Sequence, residues 1–448
     1  LGSSTANNTK TQAARALRAR RLLLWLQGWR EPLWIFLGFR FGLAIAAFFV
    51  GVFFPAVARG ATAPYSLPPL NRWGERLLGI WSHWDGEWYL LIAQNGYRPA
   101  DGTSAFFPFY PLLIKLLGWL LGGNYLLAGV LISTAATLAV MILLYELIGR
   151  EFGRETGSKT VLYLAAFPTA FFLAAIYSES LFLALALGAF LAVRHWRNWV
   201  VAGLLVALAS LTRSMGILLL IPLAWEWWKQ RQPLQINLRL PFLKQPKGST
   251  EGINISARLN LGQTPDLLRM LPILAAPLLA IAGWLLFNGV ALGDPLNFLK
   301  IQNEYPWNRH TAWPWEAVWK GAQVFFAARG PDGFLPPAPR EDPNLLDFPF
   351  FVFFAAMLIA ALWQTWRGKL PVSYLLYFGI GLLFPLLSPT PKQPLLSFPR
   401  FGLVLFPAFV VLAQWGSRWR WLHYIYLYTA LLLLGLLFGR FANWYWVA

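Results

Sequence analysis

The chain has 448 residues, of which 57% are apolar, 17% aromatic and only 12% charged, so too few polar side chains exist to coat a soluble body of this size. Its formal net charge is +18, but the basic residues gather in short segments between apolar runs, which is a pattern of membrane topology rather than of a nucleic-acid surface. Cysteine is absent, which excludes disulfides, thiolate catalysis and Cys-based metal sites.

Residues 1–32 read as a cytoplasmic tail, because Lys10, Arg15, Arg18, Arg20, Arg21 and Arg30 precede the first apolar run with no acid among them. No short apolar region followed by a small-residue cleavage site is visible, so no signal peptide is expected. Apolar runs such as Leu33–Val57, Tyr125–Leu147 and Leu271–Val290 are long enough, at roughly 20 residues as helix, to cross the hydrocarbon. Strand-like alternation is absent, so the spans are expected to be helical.

After the first span, residues 58–123 form an expected external loop, polar and rich in Pro and Gly from Arg59 to Ala105. It closes on Leu112–Leu121, an apolar stretch that carries Lys115 and ends at Gly122-Gly123. That stretch is short for a crossing and reads as an interfacial helix. With Tyr125–Leu147 as the second span, Arg150, Arg154, Lys159, Arg194 and Arg197 fall inside and Tyr177–Ser180 outside. Trp199 to Trp228 must then leave and return as two short helices broken near Arg213-Ser214-Met215-Gly216, because the basic loop 226–269 also belongs inside. Residues 33–290 are thus read as the main transmembrane module, 291–348 as a second external loop rich in Trp and Pro, and 349–448 as C-terminal helices. The fold class expected is all-α and polytopic, with about eleven passages.

Four polar clusters embedded in apolar sequence then face outward: His83-Trp84-Asp85-Gly86-Glu87-Trp88-Tyr89, Tyr177-Ser178-Glu179-Ser180, Thr212-Arg213-Ser214 and Ser397-Phe398-Pro399-Arg400. Charge near a membrane is expensive and points to function by default. Each cluster also has a plainer reading. Asp85 would serve as a helix N-cap, Glu179 as a dipole-favoured first-turn carboxylate, Arg213 as a snorkelling side chain and Arg400 as an interfacial anchor. His83 has no second His at ligand spacing, so a metal is not called for; a lone external aspartate is compatible with metal-free chemistry, and the residues do not decide for or against a divalent ion.

In chain order, His83-Trp84-Asp85 with Trp88-Tyr89, Ile92-Ala93 and Gly96-Tyr97, then Ala105-Phe106-Phe107-Pro108 with Tyr110-Pro111, Phe167-Pro168 leading into Tyr177-Ser178-Glu179-Ser180-Leu181-Phe182, Arg213-Ser214 with Gly216, and Pro399-Arg400 with Phe406-Pro407 resemble the PIG-V family. These are mannosyltransferases of the second-mannose step of GPI-anchor assembly, with prokaryotic relatives and a GT-C architecture. One departure is Met215, where the family often carries Asn, and the basic loop Lys229 to Arg269 has no counterpart in the pattern.

The resemblance implies a glycosyltransferase that takes mannose or a related sugar from a polyprenyl or dolichyl phosphate on the external or lumenal face. It would pass that sugar to a hydroxyl of a lipid-linked or glycan acceptor, with inversion. It further implies Asp85 as general base, Arg213 and Arg400 on the donor phosphate, and Glu179 positioning acceptor or arginine. Trp84, Trp88, Tyr89 and Tyr177 would shape the sugar and acceptor pocket. The lipid-phosphate sugar is the only cofactor-like partner expected, alongside membrane lipids and an acceptor, with no nucleic acid. The setting would be a bacterial or archaeal plasma membrane, or the endoplasmic reticulum in a eukaryote. The external loop with Glu304 to His310, Trp313, Trp315 and Trp319 offers flat faces for acceptor sugars. The rival readings are a lipid or sugar transporter, against which the one-sided charges and missing internal repeat argue, and a related transferase using another sugar or a protein acceptor.

Overall fold

The computed structural model describes residues 28–53, 72–99, 101–230, 267–304, 307–327 and 344–447. The basic cluster Lys10 to Arg21, the first part of the external loop, most of the basic loop, Tyr305-Pro306 and residues 328–343 lie outside the described residues. The described residues are mostly helical and contain no strand. In chain order the main helices are α1 (Arg30–Phe53), α2 (Arg72–Leu77), α3 (Asp85–Asn95), α4 (Phe109–Leu120), α5 (Tyr125–Phe152), α6 (Arg154–Ala166) and α7 (Glu179–Leu191). They continue as α8 (Trp199–Ser210), α9 (Leu220–Gln230), α10 (Leu267–Leu292), α11 (Pro314–Ala327), α12 (Asn344–Trp366), α13 (Val372–Leu383), α14 (Phe406–Arg418) and α15 (Arg420–Ala442).

Length and apolarity mark six helices among the described residues as candidate spans: Arg30–Phe53, Tyr125–Phe152, Glu179–Trp196, Met270–Leu292, Leu346–Trp366 and Arg420–Ala442. A pair bent by 76°, Phe398–Val404 with Phe406–Arg418, makes up to seven. The protein is an integral membrane protein. The sequence count of eleven also included shorter helices such as α6, α8, α9 and α13, each below the length of a full crossing. The short helix after the external loop is α4, with Leu112, Leu116, Trp119 and Leu120 exposed. The expected break near Arg213 is present, since α8 ends at Ser210 and a 3₁₀ stretch, Ser214–Leu219, leads into α9.

Burial follows from which faces are apolar. In α7 every residue except Leu181 is buried, as suits a helix that is hydrophobic all round and sits at the centre of a bundle. It packs between α5 and α8. By contrast, α1 exposes Trp34, Leu37, Phe41, Ile45 and Phe49, and α15 exposes Ile425, Tyr428, Leu431, Leu432 and Leu436. Such runs of exposed apolar side chains on long helices are stable only against lipid.

The two ends of the bundle differ in charge. At one end α5 presents Glu146, whose carboxylate receives Arg150 Nε, Arg154 Nη1 and Trp29 Nε1, each at 2.9 Å. Nearby, Arg194 bonds Glu151 and Glu226. The opposite end, where α15 finishes beside His83, holds the candidate site.

Candidate active site

Asp85 opens α3, and the residue before it is forced into an unfavourable conformation. Trp84 has φ 59°, a region that a bulky L-residue enters only when its surroundings over-determine it. The surroundings are aromatic: the Trp84 ring stands edge-on to Trp446, with centroids 4.9 Å apart, and to Trp444 at 5.8 Å. His83 is buried, stacks on Trp444 at 3.8 Å and places Nδ1 3.0 Å from the Phe441 carbonyl. Tyr177 fixes the turn from beneath, because its hydroxyl donates to the His83 carbonyl (3.1 Å) and accepts from the Asp85 backbone N–H (3.2 Å). Burial and the Asp85 charge push the Tyr177 phenol well above its ordinary range, so it remains a neutral donor.

Arg400 reaches Asp85 from 315 positions away, its Nη1 donating to Asp85 Oδ2 at 2.5 Å. It sits on a single helical turn, Phe398–Phe401, entered through Ser397 at φ 66°. The Arg400 Nε lies 3.1 Å from Glu179 Oε1. That contact is ionic only, because the angle is wrong for a hydrogen bond and both Arg400 Nε and Glu179 Oε2 are enclosed without one. Glu179, in the first turn of α7, also receives Arg213 Nη1 at 2.6 Å. Arg213 Nη1 is 3.1 Å from Ser178 Oγ, to which the Tyr89 hydroxyl donates at 2.8 Å.

Arg213 is available because the chain breaks after α8. The break depends on Gly216, where a Cβ would lie 2.2 Å from the Ala209 carbonyl carbon and 2.3 Å from the Ser210 nitrogen. The Phe401 ring centroid lies 5.3 Å from both guanidiniums.

Asp85, Glu179, Arg213, Arg400 and Tyr177 therefore meet at one end of the bundle. Nothing among the described residues bonds Asp85 Oδ1, and the Asp85 side chain keeps 14% of its surface exposed. Tyr89 is buried, edge-on to Phe106 and Tyr110. Trp88 packs on Phe106 and on Trp307, at 5.8 and 5.6 Å. Sequence reasoning named the loop around Trp307 for its aromatic rings but passed over Arg309, which the fields of Arg400, Asp85 and Arg213 all reach. It also passed over Ser178 as a hydrogen-bonding hub, and over Trp444 and Trp446. Among the described residues, four of the five non-glycine residues with positive φ adjoin the site: Trp84 before Asp85, Asn308 before Arg309, Ser397 just before Arg400 and Trp444 against His83. Backbone strain of this kind is visible only in coordinates. Among the described residues no three His, Asp or Glu side chains gather as a metal site would need.

This chemistry has relatives. Residues 60–227 match the family model for mannosyltransferase (PIG-V). The chain is PIG-V-like over that segment. The PIG-V-like segment carries Asp85, Glu179 and Arg213, while Arg309 and Arg400 lie beyond it. Among curated proteins, GPI alpha-1,6-mannosyltransferase 2 of Rattus norvegicus is 34% identical over 154 residues, which is 32% of this chain and 31% of that protein. The Homo sapiens protein is 35% identical over 153 residues, with the same coverage, and GPI mannosyltransferase 2 of Drosophila melanogaster is 31% identical over 118 residues, 24% of this chain and 26% of that one. The match spans about a third of the length of these curated relatives. The oligosaccharyltransferase of Archaeoglobus fulgidus superposes with a TM-score of 0.40 at 13% identity, over 90% of this chain and 53% of that one.

Proposed function

We propose that the chain is an inverting GT-C glycosyltransferase that moves a mannosyl residue from a polyprenyl or dolichyl phosphate to a hydroxyl of a lipid-linked or glycan acceptor. The site would work on the side of the membrane away from the basic segments, outside a plasma membrane or in a lumen. The observation that carries this reading is the Asp85 carboxylate, clamped through Oδ2 by Arg400 beside the Glu179–Arg213 pair, with Oδ1 left without a partner among the described residues. The match to GPI mannosyltransferases supports mannose as the sugar, and the prenyl-phosphate donor follows from the resemblance to PIG-V.

A transferase of this kind needs one base and a sink for negative charge. As the acceptor oxygen forms its bond to the sugar C1, Asp85 Oδ1 takes the hydroxyl proton. The C1–O bond to phosphate breaks with its electron pair, and the prenyl phosphate departs with one more negative charge than it carried as the sugar diester. Arg213 and Arg400 face that growing charge, and a guanidinium fork suits phosphate oxygens. No general acid is required, because phosphate is already a good leaving group. Glu179 holds the two arginines at their spacing, and Trp84 and Trp88 offer rings for sugar faces.

The test is direct. Purified protein is incubated with labelled polyprenyl-phosphate-mannose and candidate acceptors, with Asp85→Asn alongside. Transfer by the wild type and its loss in the variant are expected. Equal turnover by the two proteins overturns the base assignment, and no turnover with any prenyl-linked sugar returns the transport reading.

A further inference from the structure

Arg309 differs from Arg213 and Arg400 in having no carboxylate partner among the described residues. The segment that carries it is pinned from both sides. Arg309 N donates to Gln302 O (2.7 Å), His310 N to Pro389 O (3.0 Å) and Ala312 N to Leu387 O (3.2 Å). Two residues earlier, Trp307 packs against Trp88 of α3 and against Phe106 at 5.4 Å, which ties the segment to the helix that begins at Asp85. Asn308 takes φ 46° to turn the following side chain inward. A short chain segment is thus fixed by three backbone hydrogen bonds, an aromatic contact and a strained residue, and what it delivers is one guanidinium.

That guanidinium is poorly partnered where it lies. Its Nη1 is 3.5 Å from the Ser388 carbonyl, at the outer limit of a hydrogen bond, and its Nε is enclosed with no hydrogen-bond partner among the described residues. Arg213 and Arg400 are each engaged by carboxylate. Among Arg213, Arg309, Arg400, Asp85 and Glu179, three guanidiniums therefore face two carboxylates, one positive charge more than negative. Burial and repulsion from Arg400 lower the Arg309 pKa to about 10. It stays charged at neutral pH, in a place where an uncompensated charge is unfavourable. Such an arrangement is relieved by an anion, and enclosed N–H donors select one with several oxygens.

We propose that Arg309 is the seat of a phosphate-ester anion carried by a membrane lipid, with the Asp85–Arg400 pair beside it. This deepens the transferase reading and rests on it only for the identity of the lipid as the sugar donor. Arg213 and Arg400 then act as neighbours held in reserve by their carboxylates, and Arg309 supplies the first contact with the incoming phosphate.

The experiment measures binding and transfer on the full chain in detergent micelles, comparing wild type with Arg309→Met and Arg309→Lys. Farnesyl phosphate, farnesol, inorganic phosphate and phosphatidylglycerol are titrated separately. Farnesyl phosphate is expected to bind at least about tenfold more weakly to Arg309→Met, with Arg309→Lys in between, while farnesol does not distinguish the three proteins. A loss confined to farnesyl phosphate assigns the seat to a prenyl donor, and an equal loss toward phosphatidylglycerol assigns it to a phospholipid headgroup.

Binding of both phosphate lipids within twofold of wild type by Arg309→Met overturns the seat, and with intact sugar transfer leaves the transferase reading standing. Arg309-dependent binding in a protein that transfers no sugar has the reverse meaning. A purely structural role would lower the thermal midpoint without changing the donor KM, whereas a phosphate seat raises the donor KM and leaves the midpoint unchanged or higher. Should Arg309→Met fail to fold, Arg309→Lys decides, since a point charge without the planar fork must bind farnesyl phosphate several-fold more weakly or the proposal falls.

Discussion

Arg400 and Asp85 are 315 positions apart and share a 2.5 Å hydrogen bond between Nη1 and Oδ2. Among the described residues neither side chain has another partner of opposite charge apart from the Arg400 contact to Glu179. Replacing Arg400 by Met leaves Asp85 without its counter-charge in a site that is mostly closed to solvent. The expected loss of stability is about 3 kcal/mol, at the low end for a broken buried pair because Asp85 keeps some exposure. Transfer is expected to fall at least about 100-fold. Arg400→Met combined with Asp85→Asn should recover most of the lost melting temperature and none of the activity. A single variant that melts like wild type would show that the pair is not formed in the membrane.

Tyr177 acts on Asp85 without facing the open edge of the site, since its hydroxyl is spent on the His83 carbonyl and the Asp85 N–H. Tyr177→Phe removes both bonds and leaves the ring in place, at an expected cost of about 1 kcal/mol. The consequence for catalysis is a split between parameters. The donor KM should stay within twofold while kcat drops about tenfold, because a carboxylate released from its turn is misaligned with the acceptor hydroxyl. Unchanged kcat in a well-folded variant would mean that Asp85 is positioned by Arg400 alone.

The residues that gather at the site were largely legible, and the reason is topological. Alternating spans with basic residues at alternate turns put Asp85, Glu179, Arg213 and Arg400 on one side before any coordinates are considered, and in the structure they share a network. Arg309 was not legible in the same way. It sits in a loop whose sequence signals aromatic rings, and its approach to the site is fixed by backbone bonds to residues 387–389 that no side-chain pattern encodes. Trp444 and Trp446 were missed for a similar reason, because the chain folds back past the end of α15 to cover His83 and Trp84. Helix number was harder still. Apolarity alone does not separate a full crossing from a helix such as α8, whose 12 residues are too few to span but pack tightly on α10.

Gly216 and Gly381 both sit where an added methyl group would clash, but the clashes differ in kind. At Gly216 the Cβ meets backbone atoms of Ala209 and Ser210 within 2.3 Å, and at Gly381 it meets the Leu405 Cδ2 methyl at 2.4 Å. A leucine side chain can change rotamer, whereas the end of α8 moves only by displacing Arg213. Gly216→Ala is therefore expected to lose about 1–3 kcal/mol and most activity, and Gly381→Ala to lose under about 1.5 kcal/mol with transfer retained. Thermal melts and transfer rates on the two variants check the contrast, and equal behaviour would show that the break after α8 can relax.

At the opposite end of the bundle Arg194 holds together a second buried network that belongs to folding rather than to transfer. Its Nε donates to Glu151 Oε1 at 2.6 Å and its Nη1 to Glu226 Oε1. Tyr374 donates to Glu151 at 2.9 Å and Ser373 to Glu226 at 2.5 Å. Four elements, α5, the turn after α7, α9 and α13, are joined through this one guanidinium. Arg194→Leu leaves Glu151 with the Tyr374 hydroxyl and the His195 imidazole, 3.2 Å away, and Glu226 with the Ser373 hydroxyl and the Gln230 amide. The expected destabilisation is about 3–5 kcal/mol. Removing one of the stranded charges as well, in Arg194→Leu with Glu226→Gln, should restore part of it. Because the network is remote from Asp85, whatever folded protein remains should transfer sugar with an unchanged donor KM. A raised donor KM at wild-type melting temperature would instead place this cluster in communication with the site.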